Sequence, residues 1–265
     1  MKIDEENKRI YVRQSWLGDL AICPERARLG QVKPEFRTGS DATIIGTAIH
    51  AGIESVLDGR SSEFGDMLEV VGNEYETLET TNYKETNINK DMIPQYLESM
   101  SLAFYNEILP NVMLGGEVEK FFQVETPVNV GGYTIWLEGT MDYVEPDGTI
   151  WDWKTSSRAY YMKDKQKSAI QPTVYTYAEH SLRGGGEYGF KYGVMVRQET
   201  PKSQIVPIVR TAQHRGWLEH FLEGAVEMTL SAGMSKPWLM NDSSALCSGN
   251  WCSFWSICKG AYNLE

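Results

Sequence analysis

The amino-acid sequence predicts an α/β protein in which a central mixed β-sheet is flanked by helices. Three observations lead to this fold class. Apolar residues recur at helical spacing from about residue 15 to about residue 110, the alternation becomes that of β-strands from 117 to 156, and helical and strand patterns then follow each other to residue 233. Elements in this order form domains in which helices cover a sheet.

The composition is that of a soluble globular protein. Of the 265 residues, 42% are hydrophobic and 23% are charged, and no stretch approaches the roughly 18 to 20 apolar residues that span a bilayer. The polar N-terminus lacks the apolar core of a signal peptide and indicates the cytoplasm. A net charge of −11 argues against a broad basic surface but leaves room for a basic groove. There is no GxxxxGK(S/T), hence no sequence support for ATP use.

The N-terminal part is predicted to be helical. A helix begins near Ser15, and Pro24 breaks or restarts it directly after Cys23. Residues 31–41 are predicted as a loop, and residues 42–59 as a helix that ends at a glycine. Two further helices are expected between 62 and 110, separated by a polar loop at 80–91.

Three strands are predicted next, at 117–130, 133–145 and 149–156. The glycines at 131 and 132 form a two-residue hairpin turn, and the PDG at 146–148 forms a tight turn because Pro fixes one φ and Gly supplies another. A helix at about 164–182, strands at 187–199 and 203–211, and an amphipathic helix at 212–233 complete the pattern.

The second predicted hairpin carries a candidate metal site. Asp142 and Asp152 lie symmetrically about Asp147, so in that register they face each other with Cβ atoms about 4.5–5.5 Å apart. Two such carboxylates need a positive charge between them, and Mg²⁺ or Mn²⁺ is the natural candidate. Lys154 points to the same face as Asp152. A metal beside an ammonium suits phosphodiester hydrolysis.

This motif has a plain alternative. An Asp-x-Lys pair occurs by chance about once in a chain of this length and would then lie on a solvated strand face. The apolar Ile150, Trp151 and Trp153 favour a strand buried on both faces instead.

Two helical motifs strengthen the metal-site interpretation. His50 lies in an apolar helix one turn after Gly46, where another backbone can approach, although a lone buried histidine is more often a core residue. Gln171 and Tyr175 share one helix face, which by itself indicates only an amphipathic helix.

Together the four motifs resemble the RecB-family nucleases of the PD-(D/E)xK superfamily. The family has G-x-x-x-H, G-x-x-D, D-x-K-T and Q-x-x-x-Y in this order, and the sequence contains GTAIH at 46–50, GTMD at 139–142, DWKT at 152–155 and QPTVY at 171–175. The resemblance covers most of the chain and implies a restriction-endonuclease-like core. It implies a single nuclease domain over 1–265, with N-terminal helices (15–60), a helical insertion (61–115), the nuclease core (116–235) and a cysteine segment (236–265).

The resemblance implies a role for each matching residue. The metal would be Mg²⁺ or Mn²⁺, and its ligands would be His50, Asp142, Asp152 and the backbone carbonyl of Trp153. Lys154 would be the catalytic lysine. Gln171 and Tyr175 would line the DNA path, and Glu125 and Glu138 would be spare acids that act through water.

The four cysteines are Cys23, Cys247, Cys252 and Cys258, and in a reducing cytoplasm they indicate metal ligands, catalytic groups or buried thiols. A subset of the family, which includes AddB and the RecB-like exonucleases of CRISPR adaptation, has one cysteine before the core and three after it, all bound to a 4Fe–4S cluster. The layout here implies such a cluster, stapling the two chain ends. The gap between Cys247 and Cys252 is longer than the family's usual two residues, which leaves zinc or free thiols open.

Basic and aromatic residues are interleaved directly after the candidate lysine. They are Arg158, Tyr160, Tyr161, Lys163, Lys165 and Lys167. Cations can bind phosphates and rings can stack on bases, so Arg158, Tyr160 and Lys163 are predicted to bind nucleic acid. The alternative is a solvated loop.

The sequence therefore predicts a metal-dependent DNA exonuclease that acts on single strands or DNA ends. Two alternatives stay open: a DNA-end-binding adaptor in a CRISPR-adaptation or recombination complex, and a zinc-stapled structural protein. DNA is the expected partner and a membrane is not. Protein partners and a homo-oligomer are left open by the resemblance.

Overall fold

The computed structural model describes residues 1–79, 81, 83–168 and 170–262. The chain forms two compact units. The first consists of Met1–Thr38, Phe122–Gly139 and Ala212–Glu265, and the second of Gly39–Phe121 and Thr140–Thr211. The single domain over 1–265 stays a prediction.

The first unit combines strands with three helices. Strand β1 (Lys2–Asp4) pairs antiparallel with β2 (Arg9–Arg13), and β2 runs parallel to the first half of β4 (Tyr133–Val144). The glycines at 131 and 132 connect β3 (Glu117–Val130) to β4 and have φ of 57° and 83°, as the predicted hairpin requires. The helices are α1 (Gln14–Ile22), α2 (Pro24–Val32) and α8 (Ala212–Ala232).

Cys23 separates α1 from α2, as the sequence predicts. Its backbone is extended, with φ −160° and ψ 112°, and Pro24 opens α2. Proline is favoured in the first turn of a helix because the amide hydrogen that it lacks would have no partner there. The Cys23 thiol therefore lies at the junction between α1 and α2.

The first three helices of the second unit pack on a large apolar core. They are α3 (Asp41–Leu57), α4 (Phe64–Glu79) and α5 (Ile93–Ala103), followed later by α6 (Met162–Ser168) and α7 (Ile170–Leu182). Ser40 and Thr43 form a capping box that starts α3. Gly52 allows α3 to approach α4, since a Cβ at this position would lie 2.3 Å from Val71 Cγ2.

The second unit also contains the end of β4 with β5 (Ile150–Ser156), β6 (Phe190–Val196) and β7 (Ser203–Ile208). The β4–β5 and β6–β7 pairs are antiparallel, whereas β5 and β6 are parallel. The strand order is β1-β2-β4-β5-β6-β7, with β3 beside β4. The predicted α/β fold with a mixed central sheet and flanking helices is confirmed.

Two features differ from the sequence prediction. Strands β1 and β2 were not predicted. The helix predicted at about 164–182 consists of α6 and α7, on either side of residue 169, which lies outside the described residues. None of the helices in the described ranges has the length and apolar content of a membrane span.

Candidate active site

The β4–β5 hairpin has the predicted register. Tyr143 pairs with Trp151 and Val144 pairs with Ile150, which is symmetrical about Asp147. Beyond these two pairs, the Asp142 side chain takes the place of a backbone hydrogen bond between the strands, because its Oδ2 accepts the Trp153 amide hydrogen at 2.7 Å. The carboxylate of Asp142 is thus fixed by the backbone of the neighbouring strand.

Asp152 is 1% exposed, and the strand around it is buried on both faces as predicted. Its Oδ2 forms an ion pair with the Lys154 ammonium. Burial raises the pKa of Asp152 to about 6, while the Lys154 charge opposes this rise. Although burial acts to lower the pKa of Lys154, the carboxylates of Asp152 and Asp142 raise it above its ordinary value. Each member of the pair therefore favours the charged form of the other.

Helix α3 brings His50 to this hairpin. The imidazole Nε2 lies 2.9 Å from the Trp153 carbonyl oxygen, and Nδ1 lies 3.7 Å from Asp142 Oδ2. Burial, followed by the Lys154 charge, lowers the pKa of His50, which favours the neutral ring. Gly46 permits the close approach, since a Cβ there would lie 3.0 Å from Thr155 Oγ1. The sequence predicts the approach of another backbone at this glycine, whereas the atom that comes close belongs to the side chain of Thr155.

Gln171 and Tyr175 lie on one face of α7. Gln171 Nε2 donates to Asp152 Oδ1 at 2.7 Å and, at 3.5 Å, to the Tyr175 hydroxyl. Tyr175 is only 7% exposed, so its ring offers little surface to a nucleic acid. Its geometry is that of a support beneath Gln171.

An open cleft of about 730 Å³ borders His50 and Asp142. Three acids that the sequence interpretation missed, Glu54, Glu74 and Glu119, also line this cleft. Glu54 lies one helical turn after His50, which was a usable signal. Burial raises the pKa of Glu119 to about 7, assisted by Asp142. Glu119 has φ of 47°, a left-handed conformation that the sequence of a strand does not reveal.

The spare acids predicted from the sequence are in the first unit. Glu138 accepts hydrogen bonds from Arg13 at 2.8 Å and from Gln123 at 3.4 Å. Glu125 is exposed on β3. Neither residue lines the cleft of the second unit.

The donor chemistry of the hairpin site fits a hard divalent cation. Two carboxylates, an imidazole and a backbone carbonyl match the preferences of Mg²⁺ and Mn²⁺. Asp152 Oδ2 is buried and accepts no hydrogen bond of good geometry from the described residues, although Lys154 balances its charge. Within the described ranges, no three His, Cys, Asp or Glu side chains are arranged to hold a metal as they stand. The donors are close together, whereas the ligand set itself is not assembled.

The interleaved basic and aromatic residues follow β5 in the second unit. Arg158 and Lys163 are exposed, whereas Tyr160 is half-buried. The Tyr160 amide hydrogen is accepted by Gln204 Oε1 at 2.8 Å. Burial raises the pKa of Tyr160, and Lys154 and Asp152 are the charged groups that act on it.

All four cysteines border one cavity in the first unit, and all four are half-buried free thiols. Cys23 Sγ accepts the Asn241 amide hydrogen at 3.5 Å, and Cys258 Sγ lies 3.3 Å from Met240 Sδ. Thiols suit an iron–sulfur cluster or zinc. In the described residues, however, no three of them form a ligand set. The structure does not support the predicted 4Fe–4S cluster beyond this shared cavity.

Comparisons with known proteins agree with the site chemistry. A family model described as "PD-(D/E)XK nuclease superfamily" matches residues 14–259. A crystal structure of a "Putative exonuclease" from Eubacterium rectale has a TM-score of 0.58 and 16% identity, covering 93% of this chain and 92% of that chain. The crystal structure of SSO0001 has a TM-score of 0.44 and 16% identity, covering 97% of this chain and 88% of that chain. A search of curated proteins found no match.

Proposed function

The chain belongs to the PD-(D/E)XK nuclease superfamily, and from this premise we propose that it is a metal-dependent DNA exonuclease acting on single strands or DNA ends. One observation carries the proposal. His50, Asp142, Asp152 and Lys154 come from one helix and two strands of the second unit and meet beside an open cleft.

Each residue of the site has a proposed task. His50, Asp142, Asp152 and the Trp153 carbonyl would hold Mg²⁺ or Mn²⁺, which supplies a polarised phosphoryl oxygen and an activated water when bound. The raised pKa of Lys154, which burial opposes and Asp152 causes, keeps it an ammonium. As an ammonium it would stabilise the negative charge that develops on the phosphate. Gln171 orients Asp152.

The substrate proposal rests on the segment after β5. Arg158 and Lys163 are exposed cations, and Tyr160 lies near Lys154. These residues would bind the strand being cut, with Gln171 and Tyr175 supporting the site from beneath. An acidic protein of net charge −11 would repel DNA elsewhere, which favours entry of one strand at one place.

The cysteine segment has a separate proposed task. The four thiols share one cavity, so a 4Fe–4S cluster would join Cys23 to the C-terminal cysteines, and zinc is the competing occupant. The metal would hold the chain ends of the first unit together. A cytoplasmic location is proposed from the polar N-terminus. Protein partners in a recombination or CRISPR complex and a homo-oligomer are proposed from the resemblance alone.

The test is cleavage of end-labelled single-stranded DNA by anaerobically purified protein with Mn²⁺. The wild type should degrade the strand from an end, and Lys154→Ala should lose at least about 100-fold in rate while still binding DNA. Lys202→Ala, which removes an exposed lysine before β7, is the matched control and should cut normally. Equal cleavage by Lys154→Ala would remove the lysine from the mechanism. Binding without cleavage by the wild type would favour a DNA-end-binding adaptor.

A further inference from the structure

The segment between β5 and α7 is tied to β7 by two glutamines. Gln204 Oε1 accepts the Tyr160 amide hydrogen at 2.8 Å, and its Nε2 donates to the Tyr160 carbonyl at 3.2 Å. In the same way, Gln166 of α6 exchanges hydrogen bonds of 3.1 and 3.2 Å with the backbone of Val209. Both glutamine side chains form hydrogen bonds to backbone groups, and these bonds fix the positions of Tyr160 and Gln166.

This anchoring holds one lysine in a defined place. The Lys165 ammonium lies 4.1 Å from the centroid of the Tyr160 ring, and that ring packs edge-to-face on Tyr192 with centroids 5.8 Å apart. Buried Arg210 donates to the backbone carbonyls of Gln166 and Lys165 at 3.0 and 3.5 Å. The backbone of Lys165 and its charged end are therefore both held.

Lys165 is half-buried, and none of the described carboxylates forms an ion pair with it. Its pKa is lowered by burial and by the neighbouring charge of Lys154, and raised by Asp164. The two lysines lie on neighbouring rings, since the Lys154 ammonium is 5.9 Å from the centroid of Tyr192, the ring on which Tyr160 packs. Two ammonium groups held near each other form an environment that an anion would stabilise. Lys163 and Lys167 on the same helix are exposed, and their ammonium groups do not lie over an aromatic ring of the described residues.

We propose that Lys165, seated on Tyr160, binds the phosphate next to the one cleaved at Lys154, and that Gln204 is the positioning residue for this subsite. The identity of the anion as a DNA phosphate rests on the proposed function. The subsite differs from the exposed Arg158 and Lys163, because its cation is half-buried and is oriented by the Tyr160 ring before substrate arrives. The bound strand would thereby be aligned with the hairpin site.

The experiment is the salt dependence of binding to a fluorescein-labelled oligothymidylate in EDTA, where metal-dependent cleavage cannot occur. Loss of one phosphate contact should reduce the slope of log K against log salt by about 0.7 for Lys165→Gln. Its affinity at low salt should fall several-fold. Lys202→Gln removes the same charge from an exposed position and should keep the wild-type slope. Identical slopes for Lys165→Gln and the wild type would overturn the proposal.

Three further variants test the contact between Lys165 and the Tyr160 ring. Tyr160→Phe keeps the ring and should give a slope nearer to that of the wild type than Tyr160→Leu, which should reproduce the smaller slope of Lys165→Gln. Gln204→Ala should reduce the slope without removing any charge, which a purely structural role would not do. Wild-type slopes for both Tyr160→Leu and Gln204→Ala would contradict the subsite, and melting curves identify any variant that fails to fold.

The two proposals can fail separately. A wild type that binds DNA through Lys165 but never cleaves it with Mn²⁺ would remove the nuclease proposal and keep the subsite. If the wild type cleaves DNA and Lys165→Gln shows the same salt dependence of binding as the wild type, only the subsite proposal would be removed.

Discussion

The candidate active site and the cysteine cavity differ in what holds their functional groups. At the hairpin, Asp142 accepts a strand amide at 2.7 Å, Asp152 accepts from Gln171 at 2.7 Å, and His50 meets a backbone carbonyl at 2.9 Å. Around the cavity, Cys247 lies in a bend, Cys252 in irregular backbone and Cys258 in a turn between two short 3-10 segments. Cys258 Sγ there contacts the Met240 thioether at 3.3 Å.

The two regions differ in whether the protein itself or a bound metal positions the functional groups. Hydrogen bonds of the sheet and of α7 preorganise the carboxylates before any metal arrives, which suits a catalytic centre. The thiols border a common cavity without forming a ligand set, so a metal would have to gather them and would contribute its binding free energy to folding. Four variants test this contrast, beginning with the largest expected effect.

Asp142→Asn would test preorganisation at the hairpin most directly. An amide oxygen can still accept the Trp153 amide hydrogen, so the fold should be retained, while the lost charge should lower cleavage at least about 100-fold. Asp142→Ala removes the acceptor as well and should cost an additional 1–2 kcal/mol or so of unfolding free energy. Urea denaturation and single-turnover cleavage separate the two effects. Normal cleavage by the asparagine variant would contradict the assigned role.

Cys258→Ala would test whether metal organises the cavity. Anaerobically purified wild type should contain iron, and the variant should lose it and melt several degrees lower. After removal of metal by a chelator, the two proteins should melt together, because the thiol then stabilises nothing. Met240→Leu, which removes only the neighbouring thioether, should keep its iron. Wild-type protein with zinc in place of iron would identify the other occupant, and protein with neither would reject the staple.

Gln171→Ala would remove one hydrogen bond to the buried Asp152 carboxylate. A bond to a charged group contributes about 1.5 kcal/mol, so kcat should fall about tenfold. Gln198→Ala is the matched control, since its amide bonds to Thr200 at an exposed position. An unchanged rate would show that the sheet orients Asp152 without help from α7.

Gly46→Ala should have the smallest effect on stability. Alanine adds about 1 kcal/mol of helix propensity, but its Cβ would lie 3.0 Å from Thr155 Oγ1 and offset that gain. Gly72→Ala in α4 meets open space and should raise the melting temperature by about 2 °C. Cleavage should fall only for Gly46→Ala, because the small shift of α3 displaces His50. Equal behaviour of the two variants would argue against a tight α3–β5 contact.

Much of the fold could be predicted because its signals are local. The hairpin glycines, the Pro24 break and the apolar periods each determine structure within a few residues. Strands β1 and β2 have three and five residues and carry charged side chains, and β2 is paired in parallel with a strand more than a hundred residues away. Pairing over such a distance leaves no local pattern to detect.

The site could be predicted only as far as its motif residues. Strand alternation in the sequence predicts that Asp152 and Lys154 share one face. Gln204, by contrast, forms hydrogen bonds with Tyr160, which is 44 residues away in the sequence. The position of Glu119 depends on a left-handed backbone conformation. Tyr175 shares the predicted helix face, but its burial could not be deduced from spacing. Long-range contacts of this kind arise from tertiary packing and not from propensity.

The two tryptophans on either side of Asp152 give the site an optical property of its own. Trp151 and Trp153 are buried and stacked, with ring centroids 5.3 Å apart and an interplanar angle of 24°. Two indoles this close couple their electronic transitions, so the pair should dominate the near-ultraviolet circular dichroism. Because the Trp153 amide and carbonyl contact Asp142 and His50, that signal should change when a cation or a strand of DNA enters, and the protein can be titrated without any attached label.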